Sequence, residues 1–181
     1  MLEMLENTDV KVINNPDENS QTSLYTIFNN KISIANTKGS HARIQTVAHE
    51  CMHSTQSKRL LWSNFIISNI CIIYFVIISI LTIFRIVENT SICMYILIFI
   101  LVIKYIIRSF LEIDAMTKST YLARKYLEST NEFSEDELIK LISSYKEINK
   151  IGIPIINFAL VISTLLKIII YSIISLIMYL I

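Results

Sequence analysis

His49-Glu50-Cys51-Met52-His53 sets two imidazoles four residues apart, with a carboxylate directly after the first. On a helix, positions i and i+4 share one face. Both rings can then reach one Zn²⁺ at bonds of about 2.0–2.1 Å. The Glu between them is placed to take a proton from a metal-bound water and pass it to a leaving amine. The metal supplies the rest of that chemistry by acidifying the water and polarising the scissile carbonyl. With three His and eleven Glu in 181 residues, chance yields about 0.003 such patterns per chain. The bland alternative is two surface histidines that fall one turn apart, and that low expectation weighs against it.

A catalytic zinc needs a third protein ligand and an open position. His41 is the only other histidine. It lies two turns upstream, too far for the same metal unless the chain folds back. Carboxylates are better candidates. Glu112 and Asp114, in Leu111-Glu112-Ile113-Asp114-Ala115, directly follow a long apolar run. The spacing leaves open which of them is a ligand, and ordinary interfacial charge is the competing reading for both.

The elements that must position these groups follow from composition. The chain is 53% hydrophobic and only 17% charged, with a mean hydropathy of +0.54. Ordinary soluble domains carry about 25% charged residues. Disorder needs the opposite balance, low hydrophobicity and high charge. The net charge of +1 gives no basic footprint for a nucleic-acid partner. Leu60 to Phe84 is an unbroken run of 25 residues without a charge. Residues 92–111 carry only Lys104 and Arg108, and residues 151–181 only Lys167. A bilayer core about 30 Å thick is crossed by about 20 apolar residues of helix. Three transmembrane helices are therefore expected. The third run is longer than one span needs, so tilt or an interfacial start near Gly152 and Pro154 is expected. Residues 1–40 are polar, and no signal peptide is expected there.

Cations set the topology. Lys58 and Arg59 precede the first run, and Lys118, Arg124, Lys125, Lys140, Lys146 and Lys150 lie between the second and third. The loop between runs one and two has only Arg85 at its edge. The positive-inside rule places residues 1–59 and 112–150 in the cytoplasm and Ile181 outside. Cys51 is then cytoplasmic, Cys71 within the first span and Cys93 near the outer face, with no pair placed for a disulfide. The expected arrangement is a mainly α, multi-pass membrane protein with a single membrane-embedded domain over 1–181. A transmembrane hairpin would return Glu112 to the level of His53.

The polar segments read as small structure. Residues 10–14 alternate weakly and suggest a strand. Asn15-Pro16-Asp17-Glu18-Asn19-Ser20 is turn chemistry. Leu24 to Phe28 and Lys31 to Ala35 flank Asn29-Asn30, a hairpin signal. Ser40 is a candidate N-cap for a helix with Ile44, Val47, Ala48 and Cys51 on one face. That helix is expected to run through Gln56 and flow into the first span at Leu60. Ser134-Glu135-Asp136-Glu137 starts a second amphipathic helix, with Leu138, Leu141, Ile142 and Tyr145 on its apolar face, best read as a packing or interfacial helix.

The run Val47-Ala48-His49-Glu50-Cys51-Met52-His53-Ser54-Thr55-Gln56, then two spans, then Glu112-Ile113-Asp114-Ala115, resembles the bacterial YugP-like neutral zinc metallopeptidases. These are multi-pass membrane proteins similar to the gluzincin-type HtpX proteases. The resemblance covers most of the chain from about Leu24. It implies a zincin-like cytoplasmic α+β part, with His49, His53 and Glu112 as zinc ligands and Glu50 as general base. It implies Asp114 as an outer partner or substrate-side group. It further implies that Lys31-Ile32-Ser33-Ile34-Ala35 is an edge strand on which an extended substrate pairs. The sequence departs from the pattern at Met52, where the family has Gly, and at Met116-Thr117-Lys118. The family's N-terminal span is also missing, so the chain reads as a shortened member.

The leading expectation is a zinc endopeptidase acting at the cytoplasmic membrane face on membrane-associated or exported peptides, with the lipid bilayer as its other partner. The alternative is a catalytically inactive pseudo-protease serving as a binding, adaptor or immunity-type membrane protein. A transport role would rest on Lys167 alone.

Overall fold

A computed structural model describes residues 1–15, 22–35 and 42–180. The expected turn over residues 16–20, the Ser40 cap and His41 lie outside the described residues. The chain divides into two compact units. One comprises Met1–Lys58 and Leu111–Pro154, the other Arg59–Phe110 and Ile155–Ile181. These bounds fall within a few residues of the polar and apolar stretches of the sequence.

The first unit opens with a 3-10 turn, Glu3–Leu5, and three short strands: β1 Lys11–Asn14, β2 Leu24–Thr26 and β3 Lys31–Ile34. The hairpin forms as its turn chemistry predicts. Thr26 pairs with Lys31, and Leu24 with Ser33. Asn30 takes the left-handed backbone, φ 48°, which Asn tolerates better than most residues. The Tyr25 hydroxyl donates to Asn30 Oδ1 at 2.8 Å and closes the turn. The sheet order, however, is β1-β3-β2, with β1 parallel to β3. Lys31–Ile34 is thus the middle strand, not an edge. Both its sides are taken, so it offers no ladder to an extended substrate. Ala35 lies past the strand, and its N–H donates to Ser23 Oγ. The free edge on the hairpin side belongs to β2.

Alternation explains which face β3 buries. Ile32 and Ile34 point into the core, while Lys31 and Ser33 remain half-exposed, the period of two that a strand requires. Ile32 packs in a cluster with Ala48, Cys51 and Met52 of α1 (Ala42–Thr55). Ile44 and Val47 flank that cluster, completing the expected face. The helix does not flow into the first span. It stops at Thr55, and α2 (Lys58–Ile83) begins after a break at Gln56 and Ser57.

The remaining two helices are longer than their apolar runs. α3 spans Thr90–Thr130, continuing from the second run into Leu122, Ala123 and Leu127, which join the same core. α4 spans Glu135–Leu180, and Gly152 and Pro154 lie inside it rather than at an interfacial start. Its first turns are the expected packing helix: Leu138, Ile142 and Tyr145 are buried in the core. Ser134 and Glu137 form a capping box. The Ser134 hydroxyl and N–H both donate to Glu137 Oε2, and Glu137 N–H reaches back to Ser134 Oγ.

The second unit holds three apolar helical segments long enough to cross a membrane. Only 17%, 11% and 6% of their most apolar windows are buried. Large apolar side chains such as Ile73, Phe99 and Phe158 face outward. Such exposure is what a hydrocarbon solvent accepts and water does not. Several polar side chains here turn back onto their own helix, and others bond between helices, Thr82 with Tyr171 and Ser109 with Asn157. Ser63, Asn69, Ser79, Thr164 and Ser172 each donate to the carbonyl four residues earlier, satisfying groups that lipid cannot. Lys167 does the same through Ser163, bonding its carbonyl and hydroxyl at 3.1 Å each. The small core of this unit is Cys71, Ile78, Leu97, Leu101 and Tyr171.

Candidate metal centre

α1 carries both histidines on one face, as four-residue spacing requires. Their Nε2 atoms lie 3.1 Å apart, with the rings edge to face. α3 brings Glu112 to the same point. Its Oε2 is 3.4 Å from His49 Nε2, and its Oε1 is 3.7 Å from His53 Nε2. A tetrahedral zinc with bonds of about 2.0–2.1 Å spaces its donors about 3.3 Å apart. The three separations bracket that value. Two imidazoles and one carboxylate also form a donor set suited to zinc. The residues present therefore fit the metal. His53 and Glu112 are buried, and His49 is the most exposed of the three.

Burial opposes charge on His53, but hydrogen bonds with Glu112 and Gln56 outweigh it and raise its pKa above the ordinary value. Burial likewise opposes charge on Asp114. Hydrogen bonds from Lys118 and Gln56 prevail and hold its carboxyl below the ordinary value. Asp114 is not with the three donors. It accepts from Gln56 Nε2 at 3.0 Å and pairs with Lys118 at 2.5 Å.

Glu50 is buried beside the two histidines on α1. Its Oε2 accepts the Tyr25 N–H of β2 at 2.6 Å. Tyr25 is opposite Ile32 in the ladder, so this N–H leaves the sheet on the outer side of β2. The edge strand beside the site is thus β2. Cys51, next in sequence, is a core residue; burial pushes its thiol up to about 11, which keeps it protonated and inert at neutral pH. Met52, the departure from the family pattern, is also buried in the core cluster.

Two amides that hold α1 in place were not singled out by sequence. Gln45 Nε2 donates to Ser119 Oγ at 2.8 Å, with Thr120 and Asn149 within 3.3 Å. Gln56, just past the other end of α1, bridges His53 and α3. A signal existed for both. Gln45 interrupts an apolar helix face, and Gln56 stands three residues after a histidine, one turn on.

The fold and this centre define a mostly helical chain with three apolar helices able to cross a membrane, a three-stranded sheet and a His-His-Glu group within metal-binding distance. The chain matches no family model, no curated protein and no solved structure.

Proposed function

We propose that the chain is a zinc-dependent membrane endopeptidase whose site faces the cytoplasm. The observation that carries this reading is the convergence of His49, His53 and Glu112 beside the buried carboxylate of Glu50. Glu112 comes from another helix, 59 positions beyond His53, so the motif's own local geometry does not explain its arrival.

When bound, zinc would acidify a water and polarise the scissile carbonyl. His49, His53 and Glu112 are the residues to hold it. Glu50 takes the water's proton and delivers it to the leaving amine, as a general base then acid. The Tyr25 N–H fixes one oxygen of that carboxylate and so orients it. His53 precedes the apolar run at Leu60 by only seven residues. That closeness suits membrane-anchored or exported peptides. The cation asymmetry of the connections supports the cytoplasmic side.

Glu50's engagement by Tyr25 favours a second reading as well, a zinc-binding adaptor or immunity-type protein without turnover. Metal analysis and peptide hydrolysis on detergent-purified protein separate the two. We expect stoichiometric zinc that is lost in His49→Ala. Glu50→Gln should keep the zinc and lose hydrolysis. Full hydrolysis by Glu50→Gln sinks the peptidase assignment. Zinc without hydrolysis of any peptide library establishes the adaptor instead. Equal cleavage of soluble casein and membrane substrates would remove the substrate restriction.

A further inference from the structure

We infer that Gln56 is a positioning residue: it fixes the tautomer of His53 and ties that ring to the helix carrying Glu112, so that the donors are arranged before metal arrives. The metal half of this inference rests on the reading above, while the tautomer half stands without it.

The orientation of the Gln56 amide follows from its neighbours. The Leu111 carbonyl oxygen is 2.8 Å from one end, and Asp114 Oδ2 is 3.0 Å away. The Leu111 carbonyl oxygen can only accept, and Asp114 is the carboxyl group that pairs with Lys118 through its other oxygen. The end facing them must be the NH₂ group, which donates and does not accept. The other end, Oε1, is then the atom 2.8 Å from His53 Nδ1. An amide oxygen can only accept, so Nδ1 carries the hydrogen. In the neutral ring this leaves Nε2 with its lone pair, and Nε2 is the atom that faces His49 and Glu112.

The same side chain sets distance as well as tautomer. Leu111 directly precedes Glu112, and Asp114 follows it by two residues. Gln56 therefore grips α3 on both sides of the third donor while holding the ring of the second. Gln56 is itself fixed, because its N–H donates to the His53 carbonyl at 3.2 Å and closes the end of α1. Lys118, Asp114, Gln56 and His53 form one continuous chain of contacts. Asp114, offered by the sequence as a possible ligand, acts in this chain as the anchor of the amide. Partners of this kind orient metal-binding imidazoles, and losing one commonly weakens metal affinity about 10–100-fold.

The test compares the parent protein, Gln56→Leu, and Gln56→Glu combined with Asp114→Asn. In the paired exchange the new carboxylate accepts from His53 and from the new amide, which restores the acceptor on Nδ1, while the Leu111 carbonyl loses its donor. Nitrogen-15 NMR of the metal-free full chain at alkaline pH reads the His53 tautomer. Competition with a chromophoric chelator reads zinc affinity. We expect the Nδ1–H form in the parent, admixture of the Nε2–H form in Gln56→Leu, and recovery in the paired exchange. Zinc affinity should fall about 10–100-fold in Gln56→Leu and return only in part in the paired exchange, which restores the Nδ1 acceptor but not the bond to Leu111. Parental tautomer and affinity in Gln56→Leu overturn the inference. So does a parent whose His53 is in the Nε2–H form, a readout that needs no variant to fold. If the parent takes up no zinc yet its tautomer depends on Gln56, the metal reading fails and the positioning role stands.

Discussion

The two units of this chain turn their apolar side chains in opposite directions. In the unit of Arg59–Phe110 and Ile155–Ile181, Ser63, Asn69, Ser79, Thr164 and Ser172 bond to the carbonyl one turn back on their own helix, while Thr82 meets Tyr171 and Ser109 meets Asn157 across helices. Apolar side chains face outward. In the unit of Met1–Lys58 and Leu111–Pro154, polar side chains reach across elements, from α1 to α3 and α4 and from β2 to α1. There the apolar side chains turn inward. Outward apolar side chains are what a hydrocarbon solvent accepts and water does not, while an inward apolar core leaves polar side chains free to join separate elements, as Gln45 and Gln56 join α1 to α3.

Four measurements sharpen or break that contrast. The largest effect should come from Tyr145→Ala. Tyr145 is 1% exposed in the core of the site-bearing unit, and truncating a buried aromatic costs about 3–5 kcal/mol. Phe158→Ala, at a residue 67% exposed, should change unfolding free energy by about 0.5 kcal/mol or less. Equal losses in detergent unfolding would erase the inside-out distinction. Next, Ile73→Asp places a charge on an outward position of α2. If hydrocarbon surrounds it, membrane insertion should worsen by about 2.5–3.5 kcal/mol. A neutral result in an insertion assay would mean that water, not lipid, covers this face.

Gln45→Ala tests the long-range polar habit. Removing a buried bonded group costs about 1–3 kcal/mol. Gln45 Oε1 is itself buried without a partner, so the loss should lie near the lower end. No change in stability would show that Ser119, Thr120 and Asn149 satisfy one another without it. The smallest effect is at the capping box. Ser134→Ala should cost about 1 kcal/mol and also remove a pH dependence. Hydrogen bonds from the Ser134 hydroxyl and N–H hold Glu137 below its ordinary value of 4.5. A depressed carboxyl stabilises the fold above that ordinary value, and the contribution is lost as pH falls through the lower folded value. Stability of the parent should therefore decline below about pH 4.5 more than that of Ser134→Ala. Parallel acid profiles would remove Glu137 from the cap.

Much of this was legible locally. The hairpin, the capping box and the shared face of His49 and His53 depend on residues within a few positions of one another, where turn chemistry and helical spacing decide. The apolar runs were legible from composition alone. Helix ends were less so. The amphipathic stretch before Lys150 and the run from Ile151 read as separate elements, yet α4 passes through Gly152 and Pro154. A proline removes one backbone bond, and packing on both sides of it decides whether the helix continues.

By itself, the sequence determined three apolar helices and a turn of helix presenting two imidazoles and a carboxylate. Period and composition are properties of neighbours along the chain. Only the tertiary structure decided that β3 is the central strand, since alternation is the same in an edge strand and a middle one. Only it brought Glu112, rather than Asp114, to the imidazoles: two carboxylates two residues apart on a helix point about 160° apart, and the packing of α3 selects which one meets His49 and His53. It also gave Gln56 its place between them, because an amide takes its role from whichever donors and acceptors the fold sets around it.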